Sequence, residues 1–150
     1  MNLKLLEKQV RNMIEVDTWY VPALSNISAF LMEQFEQINW VGFYLIKEGR
    51  LVLGPFQGKV ACIHIEVGKG VCGTAVEQDR VLVIEDVHEF PGHIACDSAS
   101  NSEIVVPIHK NGEIVGVLDV DSPIKNRFGR EEEEVFSKVV EILEEMVCFV

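Results

Sequence analysis

Residues 103–121, "EIVVPIHKNGEIVGVLDVD", decide the architecture. Two apolar runs flank Asn111-Gly112, a dipeptide that supplies both positive-φ residues of a tight hairpin turn. The stretch predicts two long antiparallel strands, and it poses a question of register. Asp119 and Asp121 are two apart, so a strand points both to one face, together with Val115 and Val117. Two carboxylates thus continue a face that is otherwise apolar. Either the strand has left the core by Asp119, or the pair rims an acidic pocket. Such a rim suits an ammonium, and crowding raises one pKa so that one acid keeps its proton. A simple two-residue turn pairs Lys110 with Glu113. Counting back, Ile104 then faces Asp119, and Glu103 points the other way. All three acids share a face only if the register slips by one. Pro107 cannot donate a ladder hydrogen bond, so a bulge near it is the expected cause. The alternative is that Glu103 precedes the regular strand.

Outward from this hairpin, the period of the apolar residues changes twice. "WVGFYLI" (40–46) and "RLVLGPF" (50–56) read as strands joined at Glu48-Gly49, "VACIHIEV" (60–67) as a third strand, and "VLVIEDV" (81–87) as one that ends in acids. Leu3, Leu6, Val10, Met13 and Ile14 have helical spacing. So do Leu24, Ile27, Leu31 and Phe35, with Pro22 suited to a first turn. "GKGVCGTAVEQ" (68–78) reads as a glycine turn leading into a short helix. The last helix spans about 130–149. Four glutamates at 131–134 sit in its first turn, and Phe136, Val139, Val140, Leu143, Met146 and Val147 form its buried face. The expected fold is α+β, one domain over residues 1–150, with about six mostly antiparallel strands and helices from both ends packed on them.

The chain has 150 residues, is 48% hydrophobic and carries a net charge of −11, with a pI near 4.7. That acidity disfavours nucleic acid and anionic membranes as partners. No stretch approaches the roughly 18 apolar residues of a membrane span, and the start reads as no signal peptide. The cytoplasm is the expected compartment. There, stable structural disulfides among Cys62, Cys72, Cys96 and Cys148 are not expected.

Three groups are candidate site residues. Cys62 shares a strand face with His64 and Glu66, Cys72 lies between Gly70 and Gly73, and Cys96 sits in a small-polar loop beside Asp97. None is surrounded like a core thiol, although plain burial is the alternative for each. Zinc ligation by Cys62, His64, His93 and Cys96 lacks the usual paired-ligand spacing. Cys148, beside Met146 and Val147, reads as packing. The acids are the second group. The third is Trp40 and Tyr44, with Gly42 leaving a gap between them that could admit a ligand.

"NWVGFY", "LVLGPFQGKVACIHI", "GKGVCG", "GHIACDSASNSEIVVP" and "GVLDVDSP" together resemble the free methionine-R-sulfoxide reductases, which are stand-alone GAF domains. The resemblance runs from about residue 38 to 128. It implies reduction of free L-methionine-(R)-sulfoxide to methionine, with Cys96 attacking, Cys72 resolving and Cys62 a further redox partner. It places the pocket carboxylates on Glu103, Asp119 and Asp121 and the aromatic wall on Trp40 and Tyr44. It implies thioredoxin as reductant, and neither metal nor organic cofactor. GAF domains often dimerise through helices, which makes a homodimer an expectation. The competing classes are a ligand-sensing GAF module without chemistry and a redox sensor that regulates a partner.

Overall fold

A computed structural model describes residues 1–93 and 99–150. Two helices come first, α1 (Leu3–Val16) and α2 (Tyr20–Gln34). The Asn2 side chain caps α1 by accepting from the Leu5 amide at 3.0 Å. Strands β1 (Trp40–Lys47), β2 (Arg50–Gln57) and β3 (His64–Ile65) follow, then helix α3 (Gly70–Gln78) and strand β4 (Leu82–Ile84). A 3₁₀ turn at Val87–Glu89, the hairpin β5 (Ser102–Lys110) and β6 (Glu113–Ser122), and helix α4 (Arg130–Met146) complete the chain. One antiparallel sheet in the order β3-β2-β1-β6-β5-β4 carries them. Both α+β class and sheet type are as the sequence predicts. No helix among the described residues is long and apolar enough to cross a membrane.

Alternation along the strands divides the interior into two layers. Val41, Phe43, Ile104, Val106, Ile108, Leu118 and Val120 face α1, α2 and α4, whose Leu6, Val10, Ile14, Leu24, Ile27, Leu31, Phe136 and Leu143 close over them. Trp40, Tyr44, Val105 and Val117 point to the other side, where α3 brings Val71, Cys72 and Ala75. The helix-covered layer is the main core, and the smaller layer positions the site.

Which layer receives Glu103 depends on the hairpin. Near the turn, Lys110 pairs with Glu113 and His109 with Ile114. Between Ile108 and His109 the register shifts, and beyond it Ile104 faces Val120 and Glu103 faces Asp121. The slip expected from Pro107 is present, one residue nearer the turn. Glu103 lies within β5 rather than before it.

Three readings need correction. The strand expected at 60–67 is only His64–Ile65, so Cys62 lies outside it. The backbone there is occupied otherwise: Trp40 Nε1 donates to the Lys59 carbonyl at 3.1 Å, and Tyr44 Oη donates to the Cys62 carbonyl at 2.9 Å. The strand expected at 81–87 stops at Ile84, because the Asp86 side chain accepts from the His88 amide and starts the 3₁₀ turn. Helix α4 ends at Met146, after which the Cys148 amide bonds to the Thr18 carbonyl at 2.8 Å. Cys148 is therefore exposed instead of packed.

Candidate active site

The smaller layer opens into a cavity lined by Trp40, Tyr44, Cys72, Glu103, Asp119 and Asp121. Among the described residues, these include all five expected to bind substrate and, of the expected redox cysteines, Cys72. Strand pairing places them. Gly42 pairs with Asp119 and Trp40 with Asp121 across β1 and β6, while Glu103 meets Asp121 across β5 and β6. Three adjacent strands thus present an aromatic pair and three acids to one face.

The aromatic wall is rigid. The Trp40 and Tyr44 rings lie 6.0 Å apart at 22°, and Trp40 stacks on Phe56 at 5.2 Å and 14°. The gap expected at Gly42 is taken by these rings. A methyl group there would meet the Trp40 ring at 2.6 Å and collide with Phe56 Cβ. The glycine makes room for Trp40 to lie over the strand, not for a ligand.

The acids are buried, which rules out the reading that β6 has left the core. Glu103 is 8% and Asp119 6% exposed. Asp121 is partly exposed, yet its Oδ1, like that of Asp119, is buried and meets no donor of an ordinary protonated group. Ser100 Oγ approaches Asp121 Oδ2 at 3.3 Å and itself accepts from Asn39 Nδ2 at 3.0 Å. Burial first, then repulsion from Asp119 and Asp121, pushes the Glu103 pKa well above the usual carboxylate range. Burial raises Asp119 as well, held back by hydrogen bonds with Glu103, Asp121 and Cys72. Asp121 is pushed well up by burial and then by Asp119. Crowding and burial thus disfavour ionisation of all three carboxylates together.

Cys72 completes the group from α3. It is 4% exposed and a free thiol. Burial first, then Asp119, Glu103 and Asp121, drives its pKa well above the ordinary thiol value, so it stays a neutral S–H at pH 7. Burial also raises the Tyr44 hydroxyl, with Asp119 the next cause. Cys62 does not line the cavity, but it packs against the same apolar layer and is disulfide-bonded. Cys96, expected as the attacking thiol, lies outside the described residues.

Sequence reasoning missed Ser100 and Asn39, which orient Asp121. Their signal is weak, since a serine in "DSASNSE" reads as loop. It also missed Lys69 and weighed His93 only as a zinc ligand, and both line the cavity. Chemically, the arrangement can neutralise a cation and hold a proton for delivery to an oxygen, beside an aromatic wall that suits apolar groups.

A family model described as the GAF domain matches residues 10–145. Free methionine-R-sulfoxide reductase of Escherichia coli is 50% identical over 143 residues, which cover 95% of this chain and 87% of that one. Protein YtsP of Bacillus subtilis is 53% identical, covering 97% and 90% respectively. The structure described as fRMsr of Staphylococcus aureus in complex with substrate superposes with a TM-score of 0.92 at 52% identity. It covers 98% of this chain and 96% of the other.

Proposed function

The chain belongs to the GAF-domain family and, within it, to the free methionine-R-sulfoxide reductases, and from that membership we propose how its acidic cavity reduces free L-methionine-(R)-sulfoxide. The enzyme is an oxidoreductase. The observation that carries the reading is the trio Glu103, Asp119 and Asp121, gathered in one cavity beside an aromatic wall with Glu103 and Asp119 buried.

Sulfoxide oxygen leaves poorly unless it is protonated. A carboxylic acid kept neutral at pH 7 supplies that proton, and crowding within the trio keeps one neutral. The remaining negative charge pairs with the substrate ammonium. Lys69, which lines the cavity, gives the substrate carboxylate a counter-charge. Trp40 and Tyr44 hold the methyl and methylene groups around the sulfur. A peptide brings an uncharged amide nitrogen in place of the ammonium and leaves the carboxylates unpaired, which selects the free amino acid.

The Cys96 thiolate attacks the sulfoxide sulfur, and the oxygen ends as a sulfenic acid on Cys96 while methionine leaves. A second thiol condenses with it, releasing water and forming a disulfide. A dithiol, here assigned to thioredoxin, reduces that bond by exchange and is itself oxidised to a disulfide. The resolving role suits Cys62 better than Cys72, reversing the order the resemblance implies. Cys62 is already engaged in a disulfide. Cys72 is a free, buried thiol among carboxylates that suppress its ionisation. Cys72 then serves as a neutral hydrogen-bond donor to Asp119. The chemistry needs a reducing compartment.

The test is a single-turnover assay with separated epimers of free methionine sulfoxide and reduced enzyme, without external reductant. The R epimer should yield about one methionine per enzyme, the S epimer none, and Cys96→Ser none with either. Cys62→Ser should still make that methionine and fail to recycle with thioredoxin, whereas Cys72→Ser should recycle. Methionine formation by Cys96→Ser, or equal use of both epimers, overturns the reading.

A further inference from the structure

We propose that the reduced enzyme carries a zinc site in this cavity, built from Cys72 Sγ, Glu103 and Asp119, and that zinc bound there excludes the substrate.

The three donor atoms all lie within 4.8 Å of one another. A tetrahedral zinc with bonds of about 2.0–2.3 Å holds its ligands roughly 3.5 Å apart. The 4.8 Å bound exceeds that separation by about 1.3 Å, so binding requires the side chains to draw together. The cluster is more than a group of acids, because Asp119 is 6% exposed and its Oδ1 is buried without a donor. That oxygen is a desolvated lone pair aimed into the cavity. Asp121 lies outside this 4.8 Å group, which leaves the fourth position to a water.

The donor set selects the metal. A sulfur among carboxylates disfavours calcium and magnesium, which take oxygen ligands alone. Zinc accepts thiolate and carboxylate together in fourfold coordination, and its binding displaces the Cys72 proton to solvent. These ligands differ from the Cys62, His64, His93 and Cys96 set considered from the sequence. His64 is exposed on β3 and lies outside the cavity lining. Exclusion of substrate follows from charge. The ammonium brings one positive charge to the trio and zinc brings two, and both need Glu103 and Asp119. The reduction proposed above is written without a metal, so the site acts as a brake on it.

Equilibrium dialysis of fully reduced enzyme against zinc, paired with ultraviolet titration by cadmium, tests the site. Wild type should bind one zinc and show a thiolate-to-cadmium charge-transfer band. Cys72→Ala should lose that band and weaken zinc binding at least about tenfold. Glu103→Gln, with circular dichroism confirming the fold, should weaken zinc binding while keeping the thiol. Cys96→Ser and Cys148→Ser should retain both signals. Unchanged binding in Cys72→Ala, or loss in Cys96→Ser alone, overturns the proposal.

The claim that zinc excludes substrate rests on the functional reading above. Added free methionine-R-sulfoxide should lower the apparent zinc affinity of Cys96→Ser, which cannot turn it over. Zinc binding that depends on Cys72 but ignores the sulfoxide leaves the metal site standing. It then refutes the exclusion and the assignment of the ammonium to these acids.

Discussion

Glu103 stands directly across the β5–β6 ladder from Asp121, with Asp119 two residues along the same face and its Oδ1 buried without a donor. Like charges opposite one another in a sheet are destabilising, and here the sheet also removes them from water. Raised pKa values keep protons on the group, and in the proposed reaction a substrate ammonium takes up the remaining charge.

Selectivity tests that relationship most directly. Acetylating the amine of the R sulfoxide removes the charge that the trio requires. Stranding a buried carboxylate costs about 3 kcal/mol or more, which is at least a hundredfold in kcat/KM at about 1.4 kcal/mol per tenfold. Asp119→Asn or Asp121→Asn should narrow the gap between the two substrates. Equal efficiency of the wild-type enzyme on both would show that the acids do not read the ammonium.

Thermal stability should carry the same signature. The folded pKa values of Glu103, Asp119 and Asp121 are raised, so the folded state holds protons that the unfolded chain releases. Their contribution is full below the ordinary carboxylate range and is lost as pH rises through the folded values. Glu103→Gln removes one member of the trio. Its Tm should exceed that of wild type by roughly 2–4 °C at pH 8, about 1 kcal/mol, and the gap should shrink at pH 5. A gap that is constant with pH would show that the trio ionises freely in the folded protein.

His109 should follow the same pH direction at a higher pH, but here the mutation removes a stabilising partner. Its Nε2 lies 2.7 Å from Asp79 Oδ1 and its Nδ1 3.2 Å from Glu144 Oε2, tying the end of α3 to β5 and α4. Burial pulls its pKa down, but the bonds and charges of Asp79 and then Glu144 outweigh this and leave it raised. This contribution is complete below the ordinary histidine value and is lost as pH rises through the folded one. The ring is 42% exposed, so screening limits the effect to about 1 kcal/mol or less. His109→Gln should lower Tm at pH 6 and match wild type at pH 9. Equal losses at both pH values would assign the effect to packing alone.

Gly116→Ala tests how tightly β6 sits on β1. A Cβ at Gly116 would collide with the Tyr44 carbonyl and reach Leu45 Cδ2 at 3.0 Å. Overpacking of this kind costs about 1–3 kcal/mol. It should also loosen the cavity, because Tyr44 is one wall. The expected result is a lower Tm together with a higher KM, read by calorimetry and steady-state kinetics. Unchanged values of both would mean that the sheet yields at this point without cost.

Much of this was legible in the residues. Asn111-Gly112 announced the hairpin, the spacing of Asp119 and Asp121 put both on one face, and Pro107 pointed to the bulge that brings Glu103 to join them. What stayed hidden depends on partners distant in the chain. The segment at Lys59 and Cys62 has a strand's alternation, but Trp40 and Tyr44 claim its carbonyls. Gly42 looked like vacant space, and only the packed position of Phe56 shows it filled. Ser100 gains meaning from Asn39, sixty-one positions away. Periodicity reports faces, whereas side chains that reach across to a loop leave no periodic trace.

The shift between Ile108 and His109 gives the sheet a parity. On one side of it, even-numbered residues of β5 (Ile104, Val106, Ile108) go to the helices, and odd-numbered Glu103 and Val105 go to the opposite face. Remove one residue between Pro107 and Asn111 and the two sets exchange places against β6: Ile104 would enter the cavity, and Glu103 would be driven into the hydrocarbon of α4. What the position demands is a count of residues, because that count decides which face of β5 carries Glu103.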